Sequence, residues 1–290
     1  VPLLELFNGT SLWWMMPYNF GNSRAANHSI GIALGLMDRQ ALDFEDSLDV
    51  FITPESGKEG MLSLNYTFKN QRIHRRNMFA PNHGYGFSVN HDMVTSAIWG
   101  DLDYNKTEID LFTHQKAGPL SFYARGRYEK LSGKPLSQDT LGIFDIPNYY
   151  IAGSFVPGRE YMSPRGFSGA RYGKQAFMGT VELRAPAAPF QFVEILKIIQ
   201  LGNPTVALIS DFGNAWNNDR DKENLIMRTG LEFRFALSLA KSPLFIFSYG
   251  WAQSPEKWGR DWDKINNAPA GEFVEAGPKP YFQMTLINPF

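Results

Sequence analysis

The sequence predicts an all-β protein, a transmembrane antiparallel β-barrel of about 12 to 16 strands, with about 14 as the best single number. Three observations lead to this fold class. The first is that apolar and polar residues alternate along many segments. The second is that the apolar face has large side chains, whereas the polar face has small or charged ones. The third concerns the length of the apolar runs. No run of about 18 consecutive apolar residues occurs, which excludes a transmembrane helix but not a membrane-spanning barrel.

The alternation defines the strands. In "SIGIALGLM" the residues Ile30, Ile32, Leu34 and Leu36 alternate with serine, glycine and alanine. The segments "MLSLNYTF", "PLSFYARGRYEK" and "TGLEFRFALSL" repeat the pattern, and a period of two predicts strands rather than helices. Further strands are expected at 45–53, 71–80, 83–91, 94–103, 106–114, 176–185, 205–213, 243–252 and 280–290.

The content of the polar face favours a barrel over a soluble β-sandwich, which also alternates. Like charges stand two residues apart at Arg125 and Arg127, opposite large apolar side chains. A lipid-facing exterior and a wet, charged lumen produce this contrast. A lectin-like soluble sandwich is the alternative. The aromatic girdles expected at the membrane interfaces include Tyr104, Trp216, Tyr249 and Trp251.

Long polar tracts at 131–175 and 253–279 are expected to be loops, whereas short turns such as "AKSP" join other strands. Long loops at one end and short turns at the other are typical of membrane barrels. One segment departs from the strand pattern. In "FVEILKIIQL", at 192–201, polar residues interrupt apolar pairs, which predicts a short amphipathic helix or an irregular turn at the membrane surface.

The expected domain division places a linker or periplasmic segment at 1–27 and the outer-membrane barrel at 28–290. The first segment contains "SLWWMMPYNFGNSR". Its Trp13 and Trp14 could instead anchor the chain at the membrane interface.

Composition excludes several classes of function. Lys and Arg total 28 against 29 Asp and Glu, a net charge of −1, so no nucleic-acid partner is expected. The chain has no cysteine, which excludes disulfides, thiolate metal sites and cysteine nucleophiles. None of the 5 histidines has metal-site spacing, and no phosphate-binding loop, dinucleotide fingerprint or serine-hydrolase motif occurs. We expect no metal, no cofactor and no enzymatic activity.

The chain ends in "PYFQMTLINPF", which resembles the terminal strand signal that the assembly machinery reads in bacterial outer-membrane barrels. The asparagine and proline before the last residue depart from that signal, and an ordinary edge strand is the alternative. The residues that carry the resemblance are Phe282, Met284, Leu286 and Phe290.

Three motifs follow one another in the second half of the chain. "SPRGF" places Arg165 in a long glycine-rich loop, "GTVELRAP" places Glu182 on a polar strand face, and "ALISDFGNAW" places Asp211 on the next strand. In this order, before the terminal strand, they resemble the BamA-type surface-antigen superfamily of outer-membrane barrels. The resemblance is firm over 145–290 and weaker over 11–130.

The motifs match the superfamily residue by residue. Gly166 and Phe167 complete its RGF loop motif with the arginine, and Gly213 completes its D-x-G strand motif. Pro164 stands where the superfamily usually has an aliphatic residue, a departure that bears on the local conformation of the loop but not on the arginine.

The resemblance implies a loop that folds back into the barrel, with Arg165, Glu182 and Asp211 as a brace. Two carboxylates on adjacent strands repel each other in a confined space, and one planar guanidinium can satisfy both. Gly166 would let the loop backbone approach the wall closely.

The resemblance also implies a place and a role. The place is the outer membrane of a Gram-negative-type bacterium, in contact with phospholipid and lipopolysaccharide. The role is assembly or insertion of outer-membrane proteins, or polypeptide translocation, through a flexible seam between the first and last strands. The implied partners are unfolded outer-membrane or exported polypeptides, or other subunits of an outer-membrane complex.

Other roles stay open, because a fold does not fix a function. No polypeptide-transport-associated (POTRA) domain is recognised in these 290 residues. The alternative is an outer-membrane anchor or accessory barrel for a periplasmic or surface domain, and a small-solute porin is a further one.

Overall fold

The structure is a computed structural model that describes residues 5–18, 26–41, 55–71, 83–144, 149–151, 164–167, 170–187, 192–195, 199–217, 225–239, 242–253 and 279–286. Nearly all of them lie in β-strands. In chain order the strands are β1 (Glu5–Tyr18), β2 (Ala26–Ala41), β3 (Gly57–Gln71), β4 (His83–Val94), β5 (Asp103–Ala117), β6 (Leu120–Lys134), β7 (Leu141–Phe144), β8 (Tyr149–Ile151), β9 (Ala170–Gly173), β10 (Gln175–Pro186), β11 (Phe192–Ile195), β12 (Ile199–Trp216), β13 (Ile226–Leu239), β14 (Ser242–Gln253) and β15 (Lys279–Leu286). A single 3-10 turn, Ser137–Asp139, is also described. None of the described ranges contains a helix that is long and apolar enough to cross a membrane.

The strands form one large sheet and a small one. The large sheet has 13 strands in the order β1-β2-β3-β4-β5-β6-β10-β12-β13-β14-β15-β8, with β11 paired to β12 beside this path. Neighbours from β1 to β15 are antiparallel, whereas β8 pairs in parallel with the last part of β15. The small sheet pairs β7 with β9. Among the described residues β1 pairs with β2 alone, so that edge of the sheet is open.

The sheet exposes its apolar face and buries its polar face. Along β13, Leu231 and Phe233 are 54% and 40% exposed, whereas Glu232 and Arg234 are buried. Exposed apolar side chains on other strands include Leu12, Ile32, Leu64, Leu111, Leu183, Leu208 and Trp251; buried charged ones include Arg39, Glu59, Asp110, Arg127, Glu129, Arg184 and Asp211. A soluble sandwich buries its apolar side chains, so this distribution is that of a barrel with a polar interior.

The connections are long at one end of the sheet and shorter at the other. We call the end at which β2 finishes and β3 begins the upper end. The upper connections are 42–56, 95–102, 135–174, 217–225 and 254–278, and the lower ones are 19–25, 72–82, 118–119, 187–198 and 240–241. The upper connection 135–174, which we call the long loop, contains β7, β8, β9 and the "SPRGF" motif.

One expected strand is wrong. The sequence predicts an extended strand at 94–103, but the chain turns between β4 and β5. The Thr95 N–H donates to the Gly60 carbonyl at 2.9 Å, and Gly100 has a φ of 89°. The apolar residues of this segment therefore belong to a turn that packs against the start of β3.

Two other expectations also differ from the structure. The range 192–201 is expected as an amphipathic helix or an irregular turn, but 192–195 form β11 and 199–201 begin β12, and the two strands pair antiparallel. Residues 5–18, expected within a linker at 1–27, form β1 and pair with β2 along their whole length. The expected strands at 45–53 and 71–80 lie, apart from Gln71, outside the described residues.

Candidate functional site

The tip of the long loop is a tight turn at 164–167. The Phe167 N–H donates to the Pro164 carbonyl at 3.1 Å, and Gly166 has a φ of 70°. A β-turn of this kind needs a positive φ at its third residue, which glycine adopts without strain. Pro164 takes part through its carbonyl, so the N–H that proline lacks is not needed for the turn. The proline therefore fits the local conformation, and Arg165 projects from the turn.

Arg165 is held most closely by Asp211 of β12. Its backbone N–H donates to Oδ2 at 2.9 Å, its Nε donates to the same oxygen at 2.7 Å, and its Nη2 donates to Oδ1 at 2.7 Å. The Asp211 side chain is fully buried. The two guanidinium bonds have the bidentate geometry in which arginine and carboxylate match best. Asp211 therefore fixes both the backbone of the turn and the direction of the arginine.

Two further carboxylates contact the same guanidinium. Nη1 of Arg165 lies 2.8 Å from Oε1 of Glu182 and 3.2 Å from Oε2 of Glu232. Glu182 is in β10 and Glu232 is in β13, the strands on either side of β12. Burial alone lowers the pKa of Arg165, but Asp211, Glu182 and Glu232 more than offset this and raise the pKa well above its ordinary value. The loop arginine therefore stays charged.

Arginines of the barrel wall complete the arrangement. Nη2 of Arg234 donates to Glu182 Oε1 at 2.8 Å, and its Nε donates to Glu232 Oε1. Nε of Arg184 donates to Glu182 Oε2 at 2.6 Å, and its guanidinium lies 4.1 Å from the centre of the Tyr123 ring. Buried charges are stable only when they are paired, so wall and loop depend on each other here. We call the following side chains the ionic cluster: Arg165, Glu182, Arg184, Asp211, Glu232 and Arg234.

An apolar group supports the turn from one side. Phe167 is 2% exposed and packs with Ile143 of β7 and Ile226 of β13. Gly213 of β12 faces this group. A Cβ at that position would lie 2.9 Å from Ile143 Cδ1 and 2.7 Å from the carbonyl oxygen of Phe177. Glycine at 213 therefore leaves the room in which the loop packs against the wall.

A second set of charges holds the first end of the long loop. Nη1 of Arg39, in β2, donates to Glu59 of β3 at 2.7 Å and to both Asp139 oxygens at 2.7 and 2.8 Å. Nε2 of Gln138 donates to the carbonyl of Glu55 at 2.7 Å. The strands β4, β5 and β6 separate β3 from β10 in the sheet. The loop is therefore fixed to two separate parts of the wall.

The structure brings Arg165, Glu182 and Asp211 into contact, and it places Gly166, Phe167 and Gly213 beside them. Glu232, Arg184 and Arg234 are site residues that the sequence motifs do not predict. Their alternation in "GLEFRF" and "VELRAP" marks them as polar-face residues, but contacts across strands depend on pairing that one strand does not reveal.

The terminal strand is described in part. Phe282 is 43% exposed on the outer face, as the alternation of β15 requires. Met284 and Leu286 lie in β15 at positions where only the backbone is described, and Phe290 lies outside the described residues.

No metal site accompanies the ionic cluster. Within the ranges that the structure describes, no group of three or more His, Asp or Glu side chains is arranged to hold a metal ion. Guanidinium groups occupy the positions between the carboxylates, and they supply the positive charge there.

The large antiparallel sheet with its polar interior and inward loop defines the class of the fold, an outer-membrane-type β-barrel. Among solved structures, the chain is similar to BamA from Haemophilus ducreyi lacking POTRA domains 1–3, with a TM-score of 0.57 and 12% sequence identity. The match covers 97% of this chain and 54% of that chain, so the chain spans about half the length of this neighbour. No family model matches the sequence, and no curated protein matches it. The all-β barrel fold expected from the sequence is confirmed, and the path of the large sheet lies at the lower end of the expected strand number.

Proposed function

We propose that the protein is a bacterial outer-membrane β-barrel of the BamA-like superfamily that works in outer-membrane protein assembly or insertion, or in polypeptide translocation. The membrane location is supported by the distribution of side chains on the sheet, which exposes apolar residues and buries charged ones. Leu208 and Leu231 are 56% and 54% exposed, whereas Asp211 and Glu232 on the same strands are buried. Apolar belts of this extent are stable against lipid rather than water.

The interior supports a role other than a simple pore. The loop tip is bound between β10, β12 and β13, and its first end is bound to Arg39 of β2 and to Glu55 just before β3. A loop fixed to two separate parts of the wall favours a closed or regulated lumen over an open channel for small solutes.

The edges of the sheet support a role in handling polypeptides. Among the described residues, β1 has only β2 as a neighbour, and β15 has β14 and a short stretch of β8. A strand edge presents backbone N–H and C=O groups that can pair with an added strand. A seam between β1 and β15 could therefore receive a segment of a client polypeptide.

The membrane location is tested by extraction and gel migration. We expect the protein to need detergent for extraction and to migrate differently before and after heating, as folded outer-membrane barrels do. Recovery as a monomer in buffer without detergent would contradict the proposal.

The role is tested by reconstitution in liposomes. We expect the barrel to speed insertion of a urea-unfolded outer-membrane protein, read as protease-protected product, above the rate in liposomes that hold an unrelated barrel at equal density. A folded barrel without this activity would favour the anchor or accessory function. Large steady conductance in a planar bilayer would favour the porin.

A further inference from the structure

The strand β15, the last in chain order, has contacts to three other parts of the barrel. Along its backbone it pairs with β14, and its last part pairs with β8 of the long loop. Its side chains add a third connection. The hydroxyl of Tyr281 donates to Oε2 of Glu232 at 2.6 Å, and Glu232 belongs to β13, not to the neighbouring β14.

The geometry of β14 makes this contact possible. Gly250 stands opposite Glu232 on one side and opposite Tyr281 on the other. A Cβ at Gly250 would lie 2.7 Å from the Tyr281 hydroxyl. Glycine therefore lets the phenol cross β14 on the inner face and reach the strand beyond it. The ring also packs against small side chains of β12 and β14, which include Ala207 and Ala252.

The loop and the last strand share one oxygen atom. Oε2 of Glu232 accepts from Nη1 of Arg165 at 3.2 Å and from the hydroxyl of Tyr281 at 2.6 Å. The other carboxylate oxygen of Glu232, Oε1, accepts from Nε of Arg234. Hydrogen bonds to a buried charge are among the stronger ones, and a buried carboxylate that loses a donor is destabilised. Glu232 thus takes its best position only when the loop and β15 are both in place.

We propose that Tyr281 is a positioning residue that couples the loop tip to the edge of the barrel through Glu232. With the loop bound, Arg165 fixes the Glu232 carboxylate and β15 is held against the sheet. With the loop released, the carboxylate turns towards Arg234 and β15 loosens. Because coupling between two sites is reciprocal, loosening β15 also weakens the hold on the loop. The use of this coupling to open a seam for a polypeptide rests on the proposed function, whereas the coupling itself does not.

Hydrogen exchange on the intact chain in detergent or nanodiscs tests the coupling, read on the amides of 279–283, the part of β15 that does not pair with β8 of the long loop. Tyr281→Phe keeps the ring and removes the hydroxyl, and we expect exchange of β15 to rise roughly 10-fold. Arg165→Lys, which keeps the charge but not the fork of donors, should speed β15 exchange when Tyr281 is present. In the double variant it should add nothing beyond Tyr281→Phe alone.

The matched control is Tyr249→Phe, which removes a hydroxyl from a 44% exposed side chain on the outer face of β14. It should leave β15 exchange unchanged. If Arg165→Lys does not fold, Asp211→Asn replaces it, since it removes the charge that holds Arg165 and leaves Glu232 and Tyr281 unchanged. The proposal is overturned if the two fold-changes multiply in the double variant, or if loosening the loop leaves β15 unchanged.

The outcome is separable from that of the insertion assay. A barrel that shows the coupling but does not speed insertion would keep this proposal and remove the proposed function. A barrel that speeds insertion while the two variants act independently would do the reverse.

Discussion

Arg165 and Asp211 are joined by three hydrogen bonds, of which one comes from the backbone of the loop and two come from the guanidinium. The contact therefore specifies a loop conformation as well as a charge pair. A lysine could neutralise Asp211 but could not reproduce the paired donors, because its ammonium is a point charge.

Arg165→Ala should release the loop tip and weaken the barrel. It leaves Asp211, Glu182 and Glu232 buried without the loop guanidinium, and breaking such a pair costs roughly 3–5 kcal/mol. We expect faster cleavage of the long loop by added protease and a lower temperature for the heat-dependent gel shift. The protease sensitivity and the heat stability of Arg165→Lys should lie between those of the unchanged protein and those of Arg165→Ala. Unchanged cleavage and unchanged heat stability would show that Arg165 is not a brace.

Asp211→Asn and Glu182→Gln should have different effects. Asp211 binds the backbone and side chain of the loop, so its amide variant should mainly increase protease cleavage of the loop. Glu182 also binds Arg184 and Arg234 of the wall, so Glu182→Gln should mainly lower the heat stability of the barrel. The same ratio of the two effects in both variants would contradict this division.

Gly213→Ala should destabilise the packing of loop against wall by about 1–3 kcal/mol, because the new Cβ would be too close to Ile143 and to the Phe177 carbonyl. Urea-dependent unfolding in detergent measures the change. Gly126→Ala is the control, since its Cβ would have no neighbour nearer than 4.0 Å among the described atoms. Equal effects of the two substitutions would rule out crowding as the cause.

Asp139→Asn should free the first end of the long loop at a smaller cost than Arg39→Gln. Without the Asp139 charge, Arg39 and Glu59 stay paired within the wall, whereas without Arg39 two buried or half-buried carboxylates face each other. Thermolysin cleavage near residues 135–140 and heat stability measure the two effects. Arg125→Gln, which removes the partner of Asp110 elsewhere in the wall, serves as the control. An Asp139→Asn barrel less stable than Arg39→Gln would contradict the ordering.

Leu208→Arg should destabilise the barrel in a lipid bilayer by about 2–4 kcal/mol if the residue lies near the bilayer centre. The side chain points outward and is 56% exposed. Leu208→Met should change stability little, because it keeps an apolar group of similar volume. Unfolding in liposomes measures both. Tolerance of the arginine would place this face against water.

The strand pattern was readable from sequence because both faces of a barrel wall have a distinct composition. The turn within 94–103 could not be predicted, because it depends on a contact between distant segments. The Thr95 N–H donates to the carbonyl of Gly60 in β3. The paired strand segments at 192–195 and 199–201 could not be predicted, because apolar pairs broken by polar residues fit a helical period as well as two short strands.

Only the site residues that belong to recognisable sequence motifs could be predicted. Arg165, Glu182 and Asp211 belong to short patterns with fixed neighbours. Glu232 and Tyr281 do not, because their roles arise from alignment across β14 and from the space above Gly250. The alignment of residues across strands depends on the pairing of the whole sheet, so it cannot be read from a short stretch of sequence.

The alternation along β13 has a consequence for how the barrel forms. Side chains on a strand point to opposite faces in turn, so a slip of one residue would carry Glu232 and Arg234 to the lipid side and bring Leu231 and Phe233 among the buried charges. An arginine facing lipid costs roughly 2–4 kcal/mol near the bilayer centre. The charged side chains of β13 therefore penalise misaligned pairings of this strand during folding and favour the alignment that the structure shows.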